Sequence, residues 1–299
     1  MFQIPRKKRQ RQLFFAAIFT IIIVVVAGVF FAVRGVKQGL DDLAPKHERV
    51  RNKKIQDKQD LVEKNLAPLY GVVVEDQKYI QFTGEDFKNL YDNYKYEYVN
   101  SIDATPEITG DEPADLRIRS LAESRGYKLR PQATETYLKS TLGQKLQSNA
   151  KDDFLRLQTA GNEALESEFI LASGYRSVER QREIFLKSIK DILVTKIISG
   201  ESDKEINDIL ITRSIPGYSK HHTGYTIDIG CGNYLLDYSF ADTECFDWLA
   251  VNNYENAKRF GFIPSYPENS GKQGPEPEPW EYVWVGEDVL LAVPYHDKE

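Results

Sequence analysis

Apolar residues recur along this chain in three rhythms: one unbroken run, several stretches with helical spacing, and a few short strand-like runs. The unbroken run is LFFAAIFTIIIVVVAGVFFAV, residues 13–33, uncharged and with one weakly polar residue, Thr20. As a helix of about 21 residues it rises roughly 31 Å, enough to cross a bilayer core of about 30 Å. A cleavable signal peptide has a shorter apolar region, about 7 to 15 residues, that ends in a small-x-small site. This run ends in FFAVRG, so the reading is an uncleaved transmembrane anchor. Residues 34–66 are polar and charged, with a thin apolar stripe of Val50, Ile55, Val62 and Leu66. That pattern predicts a helical stalk, with a coiled coil as a weaker option.

Downstream, YGVVVEDQKYIQF predicts one or two strands. GEDFKNLYDNYKYEYV follows as a helix, with Thr83 as N-cap and Phe87, Leu90, Tyr91 and Tyr94 on one face. DATPEITGDEPADL, residues 103–116, is rich in Pro, Gly and Asp and reads as a linker. The stretch from Arg117 to Leu165 reads as helical with a Pro-marked turn. Phe169–Ala172 is a short apolar strand before a Ser-Gly turn. VERQREIFLKSIKDILVTKII is a helix, and SDKEINDILI another, opened by a capping-box pattern of Ser202 and Glu205. YTIDIG alternates as a strand, FDWLAVNNYENAKRFG is an amphipathic helix with Gly261 as C-cap, and EYVWVG is a last strand. The expected fold class is α+β: a small antiparallel sheet flanked by helices, preceded by one transmembrane helix. The expected organisation is a basic cytoplasmic segment at 1–12, the anchor at 13–33, and the stalk at 34–66. A small membrane-proximal region with linker follows at 67–112, then the main domain at 113–299.

Charge and cysteine content refine this. A net charge of −6 gives no general footprint for nucleic acid. The one strongly basic cluster, RKKRQR at 6–11, precedes the apolar run and is expected to stay in the cytoplasm. The protein is therefore expected in the cell membrane, single-pass, with its C-terminal domain outside. Cys231 and Cys245 are the only cysteines. They are either one disulfide, as an oxidising compartment would allow, or two unpaired thiols.

The candidate chemistry sits in SKHHTGYTIDIG, residues 219–230. His221 and Asp228 are seven apart. With His221 ending a loop and Asp228 on the next strand, both reach one point, as two ligands of a metal ion would. Gly217 and Gly224 permit the tight path between them. His222, adjacent in an extended chain, points the other way.

The series SGYRSVERQ, PGYSKHHTGYTIDIG, WLAVNNYENAKRFGFIPSYPE and EPWEYVWVG, in this order, resembles the VanY-like D-alanyl-D-alanine carboxypeptidases, zinc peptidases of bacterial cell walls. The resemblance covers roughly residues 115 to 290. The family pattern Ser-x-His-x-x-Gly-x-x-x-Asp is met by Ser219, His221, Gly224 and Asp228; Ser173 to Ser177 and Gln181 meet the upstream motif. The resemblance implies a zinc site at the sheet, with His221 and Asp228 as ligands. It implies Glu278 as general base and Arg176 facing the scissile carbonyl oxygen. Glu276, two residues before Glu278 and on the same face of a strand, is a minor alternative for the base. Ser219, Gln181, Tyr175 and Ser177 would hold the peptide.

One position departs. Where the family has a His after the Trp of the last motif, as third ligand, this chain has Glu281. The third ligand is then either Glu281 or missing. Carboxylates ligate zinc, and two of them would make Mn2+ or Co2+ more competitive. In a regular strand Glu278 and Glu281 would face opposite sides, and Pro279 is the residue that can break the strand between them. The implied function is a membrane-anchored carboxypeptidase acting on peptidoglycan stem peptides, of D,D or L,D type. The competing readings are a degenerate module that binds wall peptides without cutting them, and a stalked surface protein with only a structural role.

Overall fold

The computed structural model describes residues 78–234 and 236–292. The basic segment, the anchor at 13–33 and the stalk at 34–66 lie outside the described residues. Among the described residues, no helix is long and apolar enough to cross a membrane.

The helices are α1 Gly84–Asn93, α2 Glu112–Ser124, α3 Ser148–Ala164, α4 Val178–Ser188, α5 Val194–Ser199, α6 Asp203–Leu210 and α7 Glu244–Lys258. The strands are β1 Val99–Asn100, β2 Gln132–Ala133, β3 Leu138–Thr141, β4 Gln144–Gln147, β5 Phe169–Ser173, β6 Thr226–Cys231, β7 Phe262–Tyr266 and β8 Glu278–Trp284. β5, β6, β8 and β7 form one antiparallel sheet in that order. Two short antiparallel pairs, β1 with β2 and β3 with β4, stand apart from it. The architecture is α+β with small antiparallel sheets.

Two apolar cores hold these elements. The first joins the sheet (Ile227, Ile229, Phe262, Tyr282) to α3 through Phe154 and Leu157 and to α1 through Phe87 and Leu90. The second lies among α2, α4, α5 and α6, around Ile118, Phe185, Ile197 and Ile206. The segment from Ile215 to Tyr225 runs from the second core to the first, since Ile215 and Tyr218 belong to one and Tyr225 to the other. The SKHH motif is therefore fixed at both ends by buried apolar side chains.

Several expected elements differ. Thr83 caps α1 in a full capping box with Asp86, but the helix stops at Asn93. The stretch read as a linker already contains the start of α2, capped by Asp111. In that stretch the buried Asp115 carboxylate accepts from the Ile108 and Thr109 amides at 2.8 and 2.6 Å. The stretch from Arg117 to Leu165, expected to be helical with a Pro-marked turn, is interrupted by the β3–β4 hairpin. Its turn residues Leu142 and Gly143 have φ of 47° and 80°, a left-handed pair suited to a two-residue hairpin connection. Leu138, Leu142 and Leu146, four apart, imitate a helical face; only Leu146 is fully buried.

The helix expected from Val178 onward is two helices. The break at 189–193 lets both Ile189 and Ile197 enter the second core. Ser202 precedes α6 without capping it, so the expected capping box does not form. α7 is kinked at Val251–Tyr254, where Asn252, Asn253 and Tyr254 have positive φ, and its C-cap is Arg259 rather than Gly261. Asn253 gains from the kink. Its side chain accepts from the Phe82 amide at 2.9 Å and donates to the Phe82 carbonyl at 2.8 Å. Cys231 and Cys245 are bridged, tying the end of β6 to the first turn of α7. A loop of this size is stabilised by about 3 kcal/mol in the chain-entropy account.

Candidate metal centre

Ser219 leaves the second core in an extended conformation, and residues 220–223 make one tight turn. Gly224 closes it with φ 73°, a left-handed conformation that a side chain would strain. β6 then starts at Thr226, and Asp228 falls opposite Glu281 of β8. The β7–β8 pairing supplies the last requirement. Between the pairs Pro264↔Tyr282 and Tyr266↔Glu278, β8 advances by four residues while β7 advances by two. This bulge, at Pro279–Glu281, relieves the strand alternation. It lets Glu278 and Glu281 line the same cavity.

His221, Asp228 and Glu281 are buried together, each offering one ligand atom within 4.8 Å of the others. The His221 Nδ1–H donates to the Gly174 carbonyl at 2.7 Å. That directs Nε2 at two carboxylates, 3.3 Å from Asp228 Oδ2 and 3.3 Å from Glu281 Oε2. An unprotonated nitrogen so placed repels both oxygens unless a proton or a cation lies between them. Two donors bound about 2.0–2.1 Å from one ion at a tetrahedral angle stand about 3.3 Å apart, so the spacing fits a small divalent cation. Asp228 Oδ1 is buried without a hydrogen-bond partner among the described residues, leaving acceptor capacity unused. The set is one imidazole and two carboxylates, all borderline or hard donors. The residues present fit a metal.

His222 is not part of this set. Its Nδ1–H donates to the Arg176 carbonyl at 2.6 Å, and its Nε2 accepts from the Gly217 amide at 3.1 Å. Both ring nitrogens are used, and burial helps lower its pKa to about 4, so the ring stays neutral. Arg176 reaches the site from the turn after β5. Its guanidinium stands 3.9 Å from Asp228 Oδ2 and donates to Gln181 Oε1 at 2.9 Å and Ser173 Oγ at 3.3 Å. Gln181 in turn donates to the Ser214 carbonyl at 2.6 Å.

A cavity of about 500 Å3 opens over the cluster. Arg176, Gln181, Ser219, Glu278, Tyr238 and Trp280 are among its walls. Tyr175 and Ser177 are not. The Tyr175 hydroxyl turns to Glu135 Oε1 at 3.3 Å, and Ser177 caps α4, its Oγ accepting from the Arg180 amide at 3.1 Å. Glu276 is exposed and paired with Arg125 at 3.5 Å, outside the wall of this cavity. Glu278 is buried within it.

The two glutamates titrate apart. Burial, then the neighbouring Glu281 and Asp228 carboxylates, push Glu278 well above the usual carboxylate range. Burial would raise Glu281 as well, but His221, Lys220 and Ser265 hold it below its usual value. A proton shared by the pair therefore resides on Glu278.

Lys220 and Ser265 were not singled out by the sequence. Lys220 is fully buried, its Nζ 4.2 Å from the centre of the Tyr91 ring and 3.8 Å from that of Tyr266. Burial lowers its pKa to about 7. A lysine in a polar turn carries no written sign of burial, because lysine is almost always exposed.

A pH effect follows for the metal-free protein. Burial disfavours the His221 imidazolium, yet Asp228 and Glu281 outweigh it and raise its pKa to about 9. The folded state then keeps a proton that the unfolded chain loses near 6.5. The His221 contribution to stability is full below about 6.5 and is lost as pH rises towards 9. Lys220, whose pKa is lowered, acts in the opposite sense over part of that range, so the test is the difference between parent and His221→Ala in thermal melts in chelator. That difference is expected to shrink as pH rises, and one that does not change with pH would remove the assignment to His221.

Known proteins are similar in sequence over the region that holds this cluster. A family model described as VanY, D-alanyl-D-alanine carboxypeptidase, matches residues 143–287. A D-alanyl-D-alanine carboxypeptidase of Enterococcus faecalis is 31% identical over 128 residues, 42% of this chain and 43% of that protein. The bifunctional D-Ala-D-Ala dipeptidase and carboxypeptidase VanXYC of Enterococcus gallinarum is 28% identical over 127 residues, 41% of this chain and 58% of that one. The chain thus spans about half the length of these relatives. A solved structure of VanYB in complex with D-alanine-D-alanine aligns at 25% identity and a TM-score of 0.40, over 55% of this chain and 81% of the other. Residues 143–287, which hold every member of the His221–Asp228–Glu281 cluster and Glu278, are the part of the chain that is similar to the VanY D-alanyl-D-alanine carboxypeptidases.

Proposed function

We propose that this protein is a zinc-dependent carboxypeptidase, anchored in the cell membrane with its domain outside, that removes the terminal D-alanine of peptidoglycan stem peptides. The observation that carries the reading is a buried carboxyl, Glu278, beside a His-Asp-Glu cluster at the floor of an open cavity. The similarity of residues 143–287 to the VanY D-alanyl-D-alanine carboxypeptidase model supports the substrate class. The Cys231–Cys245 bridge supports an oxidising, extracytoplasmic setting, and the apolar run at 13–33 supports the bilayer as a partner.

His221, Asp228 and Glu281 would hold the ion, which supplies Lewis acidity to a carbonyl oxygen and to water. Glu278 then takes a proton from the attacking water and delivers it to the amine as the C–N bond breaks, so water is consumed and no other reactant is needed. The Arg176 guanidinium meets the carbonyl oxygen as it gains negative charge. Gln181, engaged at both ends by Arg176 and Ser214, acts by aiming that guanidinium. Ser219, on the cavity wall, binds the peptide terminus.

A second reading is favoured by one observation: Glu281 stands where the resembled family has a histidine, so the domain would bind wall peptides without cutting them. The full chain in detergent, given a stem pentapeptide or tetrapeptide, separates the readings. Release of D-alanine that stops with chelator and returns with zinc is the expected result. The peptide that loses D-alanine assigns D,D or L,D type. Absence of release from both, with zinc bound, would establish the binding module.

A further inference from the structure

Glu281 is held by one side chain that no motif marks. Ser265 lies on β7 inside the β7–β8 bulge, 1% exposed, and its hydroxyl donates to Glu281 Oε1 at 2.6 Å. A carboxylate oxygen only accepts, so the single hydrogen in this contact is the serine's. The other oxygen, Oε2, is the one that faces His221 Nε2 at 3.3 Å. The two oxygens of Glu281 are thus divided between two tasks.

Ser265 is itself fixed from behind. The Lys220 ammonium donates to the Ser265 carbonyl, and the Tyr91 and Tyr266 rings confine that ammonium on two sides. Lys220 directly precedes His221 in the same tight turn. One turn therefore carries both the histidine of the cluster and the brace behind the glutamate's hydrogen-bond donor.

We propose that Ser265 is a positioning residue that makes Glu281 a one-oxygen metal ligand, occupying Oε1 so that Oε2 alone is presented beside His221 and Asp228. The proposal rests on Glu281 being a ligand. Its physical basis is that a buried carboxylate with a free oxygen can rotate or bind through both atoms, whereas a hydrogen-bonded one is held in place. Such outer contacts orient ligands, and their loss typically costs about 10- to 100-fold in metal affinity.

The test measures zinc affinity of the full chain in detergent, by competition with a chromophoric chelator, independent of turnover. Ser265→Ala is expected to weaken zinc binding about 10- to 100-fold. Ser265→Thr, which keeps the hydroxyl, is expected to bind within about threefold of the parent. In a Glu281→His background, Ser265→Ala is expected to change affinity less than about threefold, because the carboxylate it serves is gone. A general structural defect would instead cost the same in both backgrounds, and that outcome overturns the proposal. So does parental affinity in Ser265→Ala while Glu281→Ala loses zinc. If the parent and Glu281→Ala bind zinc equally, the assignment of Glu281 as a ligand fails, and the role of Ser265 with it.

Discussion

Glu278→Gln is expected to lower turnover by about a hundredfold or more, the size of a lost general base, while leaving zinc content near that of the parent. Glutamine keeps the shape of the side chain and its place on the cavity wall but takes up no proton. Burial and the Glu281 and Asp228 carboxylates raise the proton affinity of Glu278, and a cation held between those carboxylates would offset their charge and free Glu278 to act as base. In the metal-free protein Glu278 already holds its proton, so a neutral amide of the same shape should melt no lower than the parent. His221→Ala should behave differently, losing zinc and turnover together, because its Nε2 faces both carboxylates. Release of D-alanine, zinc content by mass spectrometry and thermal melts separate the two variants. Near-parental turnover in Glu278→Gln would remove it as the base and return attention to the exposed Glu276.

The parts of the site that were legible in the sequence are those written within one turn and one strand. His221 and Asp228 are close in sequence, and the Gly224 turn between them brings both to one point, so the spacing allowed their meeting and the family resemblance supported it. The relation of Glu278 to Glu281 was legible only as a condition, that Pro279 interrupt the strand; the bulge opposite Pro264–Tyr266 is what meets it. β7 was not foreseen, and it contains Pro264, a residue that argues against a central strand. It is tolerated because β7 is an edge of the four-stranded sheet. The β3–β4 hairpin was hidden by leucines four apart. Ser265 and Lys220 carried no local signal at all. Their importance comes from a tertiary contact between β7, β8 and the turn at 220–223, and periodicity cannot report a contact between segments distant in sequence.

Glu281→Ala and Glu281→His together decide how this chain completes its metal site. Glu281 is buried, and its carboxylate is ionised by its neighbours rather than by solvent, since His221, Lys220 and Ser265 offset the cost of burying the charge. Removing it by alanine leaves only His221 and Asp228, fewer than the three protein ligands usual for an open zinc site. Zinc affinity is therefore expected to fall by at least about a hundredfold, larger than the effect of losing an outer contact. Histidine restores a third ligand and changes the balance of charge. One carboxylate and two imidazoles leave a divalent ion with one net positive charge, whereas the parent's two carboxylates neutralise it. Nitrogen also favours zinc over manganese more than a carboxylate oxygen does. Glu281→His should then keep or tighten zinc binding while lowering the affinity for Mn2+ relative to Zn2+, and the parent should be the more permissive of the two. Paired titrations with Zn2+ and Mn2+ read this directly. Equal zinc binding by Glu281→Ala and the parent would show that the carboxylate is not a ligand. A parent that binds no zinc and releases no D-alanine, beside a Glu281→His variant that does both, would show that this one substitution separates the chain from its catalytic relatives.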